Sequence, residues 1–408
     1  MRSFLICILT FMVVIFSVIP GAAEPLENNE SVQDARANQV DQSNQGTPGD
    51  QEDQNNNLGG PRVAEEPVEQ PTVTVAAVGD IMLVGGVRNL IARHGPLYPF
   101  EKVAPLLTRV DIAFGNLESP LATGGQPTPY KRPEAIAAGR DYVFKGSPED
   151  VAGLAAAGFD VLALANNHML DFGPEALLET LATLESAQII SVGAGANLAE
   201  ARRPAIVVTK GVRVAFLAYS YILPPYYWAT DTQPGVAPAR DIKSLAPDPV
   251  GIAALQHDVA SSRAQADLVI VSFHWGEEKQ HQANAYQQQL ARAAIDAGAN
   301  AVIGHHPHVL QGIEIYKGRP IFYSLGNFVY TPRNEPAKET VIATLAFKGG
   351  EVTEVELQPI YIAAGQPQPA AGSQARAIIG NLSAYSASYG TKLVTRQDRA
   401  YLFPVAPL

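Results

Sequence analysis

From Thr72 onward, short apolar runs alternate with stretches of helical periodicity. Runs that read as strands cover Thr72–Val78, Asp111–Phe114, Asp160–Ala165, Ile189–Val192, Ala205–Val208, Val212–Tyr219, Asp267–Phe273, Ala301–Ile303 and Ile321–Ser324. Between them, helices are predicted near Gly86–Arg93, Pro148–Ala157, Pro174–Ser186, Gly251–Ala264 and Asn284–Ala297. Ser147-Pro148 and Gly173-Pro174 supply a proline at the first helical turn, where its missing N–H costs nothing. Such alternation predicts a layered α/β domain. Thr340–Phe347 and Val352–Gln358, joined through Lys348-Gly349-Gly350, read as a closing hairpin. A Pro/Ala-rich stretch, Gly365–Gly372, then leads to a short helix and a tail, and no internal repeat is visible.

The pattern before Thr72 is different. Phe4–Pro20 is uninterrupted and apolar, preceded by one arginine and followed by Gly21-Ala22-Ala23, small residues that a signal peptidase accepts. Residues 1–23 therefore predict a signal peptide or an N-terminal anchor. An extracytoplasmic location follows, with the protein secreted or tethered to the outer face of the membrane. Residues 24–71 are polar and acidic, with too little apolar surface to offset the entropy of ordering. They predict a disordered linker with a reach of roughly 35–40 Å.

Charge sharpens this division. The chain carries −11 in all, and residues 24–71 hold eleven acidic and two basic side chains. The body from residue 72 is therefore near neutral, with no basic block to hold nucleic acid. The single cysteine, Cys7, lies in the apolar run, so the body has no disulfide, thiolate nucleophile or cysteine-based metal site.

Candidate chemistry collects where the predicted strands end, the usual ligand position in α/β sheets. Five strand ends run into Gly79-Asp80-Ile81-Met82, Gly115-Asn116-Leu117-Glu118, Asn166-Asn167-His168 with Asp171, His274-Trp275-Gly276-Glu277-Glu278, and Gly304-His305-His306-Pro307-His308 with Gln311. Each piece alone has a plain alternative: turn chemistry for Gly-Asp and Gly-Asn, a capped turn at His168, a packed core imidazole at His274. Together they hold five of the eight histidines. Carboxylate, amide oxygen and neutral imidazole in one set suit a divalent ion such as Zn²⁺, Mn²⁺ or Fe²⁺, one or two per site. A serine nucleophile has no Gly-x-Ser-x-Gly elbow to sit on, and Gly193-Ala194-Gly195 lacks the third glycine of a dinucleotide fingerprint.

The ordered set resembles the CapA family of capsule and poly-γ-glutamate synthesis proteins. The resemblance rests on the blocks above together with Asn116-Leu117-Glu118-Ser119-Pro120-Leu121, Gly193-Ala194-Gly195, His306-Pro307-His308-Val309-Leu310-Gln311 and Tyr323-Ser324-Leu325-Gly326-Asn327-Phe328-Val329. It spans residues 72–330, with 331–408 as a C-terminal extension of the same domain. That family is similar in turn to calcineurin-like metallophosphoesterases, which implies a four-layer α/β/β/α sandwich.

The resemblance also implies roles. Metal ligands are Asp80, Asn116, Glu118, Asn167, His274, His306 and His308; catalytic residues are His168 as general acid and Asp171 as its orienting partner. His305, Glu278, Gln311 and Asn327 are left as substrate contacts. His305 follows the glycine as the first histidine of the closing pair normally does, so the pair reads as His305 or His306 with His308. The chain departs from the phosphoesterase pattern at Met82, where a ligand histidine is expected, and at Asn116, where the bridging aspartate is expected. Two functions stay open. One is a metal-dependent hydrolase or transferase acting on an anionic, poly-γ-glutamate-like cell-surface polymer. The other is a non-catalytic accessory that binds that polymer beside membrane synthesis or export proteins. Tyr226, Tyr227 and Trp228 either line a substrate groove or cap the core.

Overall fold

The structure is a computed structural model that describes residues 70–224, 226–240 and 248–402. All of these belong to one unit, Glu66–Leu408. The expected N-terminal signal or anchor, and the linker up to residue 69, lie outside the described residues.

Two sheets form the body. The larger has ten strands, and its main path runs Val394–Arg396, Arg399–Leu402, Glu351–Ala363, Glu339–Lys348, Val73–Ile81, Ile112–Leu117, Val161–Ala163, Ile190–Val192. Asn327–Val329 joins Val73–Ile81, and Gln366–Pro369 joins Glu351–Ala363. The smaller sheet runs Ile313–Tyr316, Arg319–Phe322, Ala301–His305, Leu268–His274, Val212–Ser220, Ala205–Thr209.

The period-two pattern of the strands explains why these sheets stack. Along Val212–Ser220, the residues Val214, Phe216 and Ala218 enter a core shared with the larger sheet. The intervening Ala215, Leu217 and Tyr219 face a second core with Leu255, Val259, Leu290 and Ala294. Those four come from the helices Pro249–Arg263 and Ala285–Asp296. Phe114 of the larger sheet stacks on Phe216 of the smaller one at 5.3 Å between ring centroids. Helices Val151–Ala157 and Gly173–Ser186 connect parallel neighbours of the larger sheet and bury Leu154, Leu177 and Leu184 on it. Helix, sheet, sheet, helix is the four-layer sandwich that the resemblance implies.

Register assembles the site. Parallel pairing sets Asp80 beside Asn116 in one sheet and His274 beside His305 in the other. Between Ala77 and Asp80 the register shifts, and a bulge there re-aims the strand end. Gly79 permits it, because a Cβ at that position would lie 2.0 Å from the Gly326 carbonyl oxygen.

Two expectations need correction. Asp80 and Asn116 are inside strands, and His274 and His305 are the last residues of theirs, so ladder pairing fixes their backbones more firmly than a loop would. The final helix is not short. It runs sixteen residues, Gly372–Ala387, and buries Ala375, Ile378, Ile379 and Leu382. The Pro/Ala-rich stretch before it is an edge strand, where proline's missing N–H faces no ladder partner.

Candidate metal centre

Asp80, Glu118, His274 and His305 are all fully buried where the strand ends of the two sheets meet. Asp80 Oδ1 accepts from Asn116 Nδ2 at 2.8 Å, and Oδ2 accepts from the His306 backbone N–H at 3.3 Å. His305 Nδ1 lies 3.3 Å from Asp80 Oδ1, and His308 Nδ1 lies 3.3 Å from Oδ2. His274 Nε2 is 2.7 Å from Asn167 Oδ1, 3.1 Å from His306 Nδ1 and 3.3 Å from Glu118 Oε1.

The loop His306–His308 carries backbone strain. His306 has φ 94° and His308 φ 58°, a region that favours glycine over a side chain. Asn327 Nδ2 donates to the His308 carbonyl and to that of Ala337, and Asn327 Oδ1 sits 3.1 Å from His308 Nδ1. Asn327, expected as a substrate contact, thus holds the loop and its imidazole.

Both oxygens of Glu118 are buried without a hydrogen-bond partner, as are both ring nitrogens of His305. An unpaired carboxylate in such a place is costly unless a cation meets it. Ligand atoms of Glu118, His306 and His308 lie within 4.8 Å of one another, and so do those of Asp80, Glu118 and His274. The donor set fits a divalent ion.

Protonation points the same way. Burial, reinforced by the charge of Asp80, raises Glu118 well above the ordinary carboxyl value. Burial acts on Asp80 as well, but hydrogen bonds and charge from His305 and His308 outweigh it and hold that carboxyl well below the usual range. Burial works against a charged His308, yet the Glu118 charge and Asp80 push it up to about 10. Burial and the neighbouring His308 push His306 down to about 3. Burial and the charge of His306 likewise depress His274. The buried carboxylates thus draw positive charge to this cluster, which a dication would also supply.

His168 adjoins this cluster. Its Nδ1 is 2.7 Å from Asp171 Oδ2, and the ring stacks on Phe144 at 4.3 Å. Asp171 is fully buried and also accepts from the Phe144 N–H, the Tyr227 hydroxyl and Lys131 Nζ, the last at 2.6 Å. Lys131 reaches the Asn167 carbonyl at 3.1 Å and His168 Nδ1 at 3.1 Å. Burial lowers the His168 pKa, outweighing the upward pull of Asp171. Sequence reasoning missed Lys131 and Phe144, and named Asn166 without giving it a role. The last donates to Asn116 Oδ1 at 3.2 Å and to the Leu117 carbonyl at 2.8 Å.

A cleft of about 870 Å³ opens over His168 and His308, with the exposed Glu278 on its wall. Met82 lines the cleft and offers only a thioether. Gln311, expected as a substrate contact, is instead buried, and its amide is spent on Gln287, Gln280 and Gln282. Tyr227 is buried against Asp171, while Tyr226 stays 62 % exposed and packs at a tilt on Tyr130, 4.5 Å between ring centroids.

Residues 74–332 match the family described as bacterial capsule synthesis protein PGA_cap. The chain belongs to this family. It is 34 % identical over 301 residues to a capsule biosynthesis protein CapA of Bacillus anthracis, covering 74 % of this chain and 70 % of that one. A PGA biosynthesis protein CapA of Bacillus subtilis is 32 % identical, covering 73 % of each chain. A probable polyglutamine synthesis accessory protein of Mycobacterium tuberculosis is 31 % identical, covering 82 % and 96 %. Among solved structures, a hypothetical protein from Thermus thermophilus aligns over 70 % of this chain and 98 % of its own, at TM-score 0.41 and 18 % identity. The family match covers every donor of the candidate centre, from Asp80 to His308.

Proposed function

We propose that this PGA_cap protein is an extracytoplasmic, metal-dependent hydrolase or transferase that acts on an anionic cell-surface polymer of the poly-γ-glutamate type. The observation that carries the reading is Glu118, a carboxylate with no hydrogen-bond partner on either oxygen, facing His274 and His308 at 3.3 and 3.8 Å. Asp80, Glu118, Asn167, His274, His306 and His308 would hold a divalent ion, which would supply Lewis-acid polarisation and activation of water. With Nδ1–H donated to Asp171, which orients the ring, neutral His168 takes a proton at Nε2 from the attacking water and passes it to the leaving group. Location outside the cytoplasm is supported by the apolar run Phe4–Pro20 and the small residues after it.

One observation favours a second reading, a non-catalytic accessory that binds the polymer. Asn116 replaces a carboxylate, and its Nδ2 presents a donor to Asp80 where a negative charge would serve a metal. Metal analysis of the purified protein, alongside a His306→Ala/His308→Ala double variant, separates the two. Metal in the parent and none in the variant, with turnover of a phosphoester or γ-glutamyl polymer that His168→Ala abolishes, supports catalysis. Polymer binding with no metal after reconstitution supports the accessory role.

A further inference from the structure

Between Pro129 and Val143 only one side chain is buried, and it is a lysine, Lys131. The helix in this strap, Pro133–Ala137, buries nothing, and Tyr130, Ile136 and Tyr142 are exposed. Apolar packing therefore contributes little to holding the strap. Burying an ammonium is unfavourable unless acceptors meet it, so the partners of Lys131 decide where the strap sits.

An ammonium has three N–H groups, and three acceptors surround this one. They are Asp171 Oδ1 at 2.6 Å, the Tyr142 carbonyl at 2.9 Å and the Asn167 carbonyl at 3.1 Å. His168 Nδ1 also lies 3.1 Å from Lys131 Nζ, but its own N–H goes to Asp171 Oδ2 at 2.7 Å. The bond to Tyr142 closes the strap at its base. Just past that base, Phe144 gives its N–H to Asp171 Oδ2 at 2.7 Å and lays its ring on the His168 imidazole at 4.3 Å. Asp171 is thus gripped from both ends of the strap, and the Tyr227 hydroxyl adds a fourth donor at 2.9 Å.

We propose that Lys131 is a positioning residue for His168. Its ammonium latches the strap Pro129–Val143 to the turn that carries Asn167, His168 and Asp171. The latch sets both the carboxylate that orients the imidazole and the phenyl ring that flanks it. The proposal rests on the reading of His168 as the proton-transfer group. Tyr142, Val143 and Phe144 line the same cleft as His168. A polymer lying along this wall touches the element on which the pose of the histidine depends.

Histidine-selective NMR on the full chain reads that pose without turnover, with His168→Gln identifying the signal. Ring protons held over the Phe144 face resonate upfield. In Lys131→Met they should move downfield toward a free imidazole, as they should in Phe144→Leu, which removes the ring current directly. An unmoved His168 signal in folded Lys131→Met would overturn the proposal. Arg140, exposed within the strap, reports on the latch. An Arg-specific protease should cut there about fivefold or more faster in Lys131→Met than in the parent, and equal rates would refute the latch. Should Lys131→Met fail to fold, the intact protein decides. Cleavage at Arg140 about tenfold slower than in a free peptide of residues 129–146 supports the latch, and equal cleavage refutes it. Turnover of bis(p-nitrophenyl) phosphate with Mn²⁺ separates the proposal from the reading beneath it. Lys131→Met should lower kcat about tenfold or more with KM nearly unchanged, whereas a rise in KM alone would make Lys131 a binding residue and overturn the proposal. A parent protein that binds Mn²⁺ and turns over nothing removes the proton-transfer reading of His168, while the ring signal still decides the positioning.

Discussion

His274 and Asn167 lie 107 residues apart in the chain and meet at 2.7 Å, ring Nε2 to amide Oδ1. The other ring nitrogen faces an amide donor, Asn116 Nδ2, at 3.5 Å. A ring proton on Nε2 would be donated to Asn167 Oδ1. A divalent ion bound there would have His274 and Asn167 as two of its donors.

Asn167→Leu keeps the side-chain volume and removes the oxygen. Metal affinity should fall roughly 10- to 100-fold with the fold retained. Competition against a chromophoric chelator measures this, and unchanged affinity would take Asn167 out of the ligand set.

The Lys131–Asp171 pair makes a different prediction. Both side chains are buried, 2.6 Å apart, and removing one leaves the other charge stranded. Lys131→Met should cost about 3–5 kcal/mol in urea unfolding. The double variant Lys131→Met/Asp171→Asn should cost less than the two single changes added, with a coupling of about 1–3 kcal/mol. Additive losses would mean that the ion pair does not hold the His168 pocket together.

Much of the centre was legible in the sequence, for a physical reason. Strand ends are marked by apolar runs, and a donor after such a run has few places to go except the sheet's ligand edge. Asp80, Asn116, His168 and His274 were singled out as candidates that way. Lys131 was not. It lies in the irregular segment between Ile112–Leu117 and Val161–Ala163, where no periodicity announces contact with a histidine 37 residues on. The choice between His305 and His306 was also invisible in sequence. It turns on where the ladder stops, and pairing ends with His305 opposite His274, which frees His306 to turn into the centre. The length of the last helix escaped because Ser and Ala blur the contrast between its buried and exposed faces.

Strain at His306 separates stability from function. At φ 94° a side chain of any kind is unfavourable, whereas glycine is not. In metal-free protein, His306→Gly should be more stable than His306→Ala by about 1 kcal/mol, and both should bind metal poorly. The urea midpoints of the two variants check the order. If alanine proves the more stable, the loop relaxes without the histidine and stores no strain.

The cleft gathers positive charge on a near-neutral body. The body from residue 72 is near neutral overall, yet Arg88, Lys145, Lys279 and Arg333 line the cleft against one carboxylate, Glu278. Arg88, Lys279 and Arg333 are exposed, and Lys145, half-buried, spends its ammonium on the Thr123 and Gly124 carbonyls. An anionic chain entering the cleft meets mobile guanidinium and ammonium groups that remain partly solvated, so each contact is modest and screened by salt. Arg88→Ala and Arg333→Ala should each weaken binding of poly-γ-glutamate about two- to fivefold, and Glu278→Gln should strengthen it. Raising sodium chloride from low to near-molar concentration should erase most of the difference between these variants and the parent. Fluorescence anisotropy with a labelled polymer reads all three. Equal binding of a neutral polymer, or affinity that ignores salt, would show that the cleft selects its chain by something other than charge, with the exposed Tyr226 and Tyr130 pair then the first surface to test.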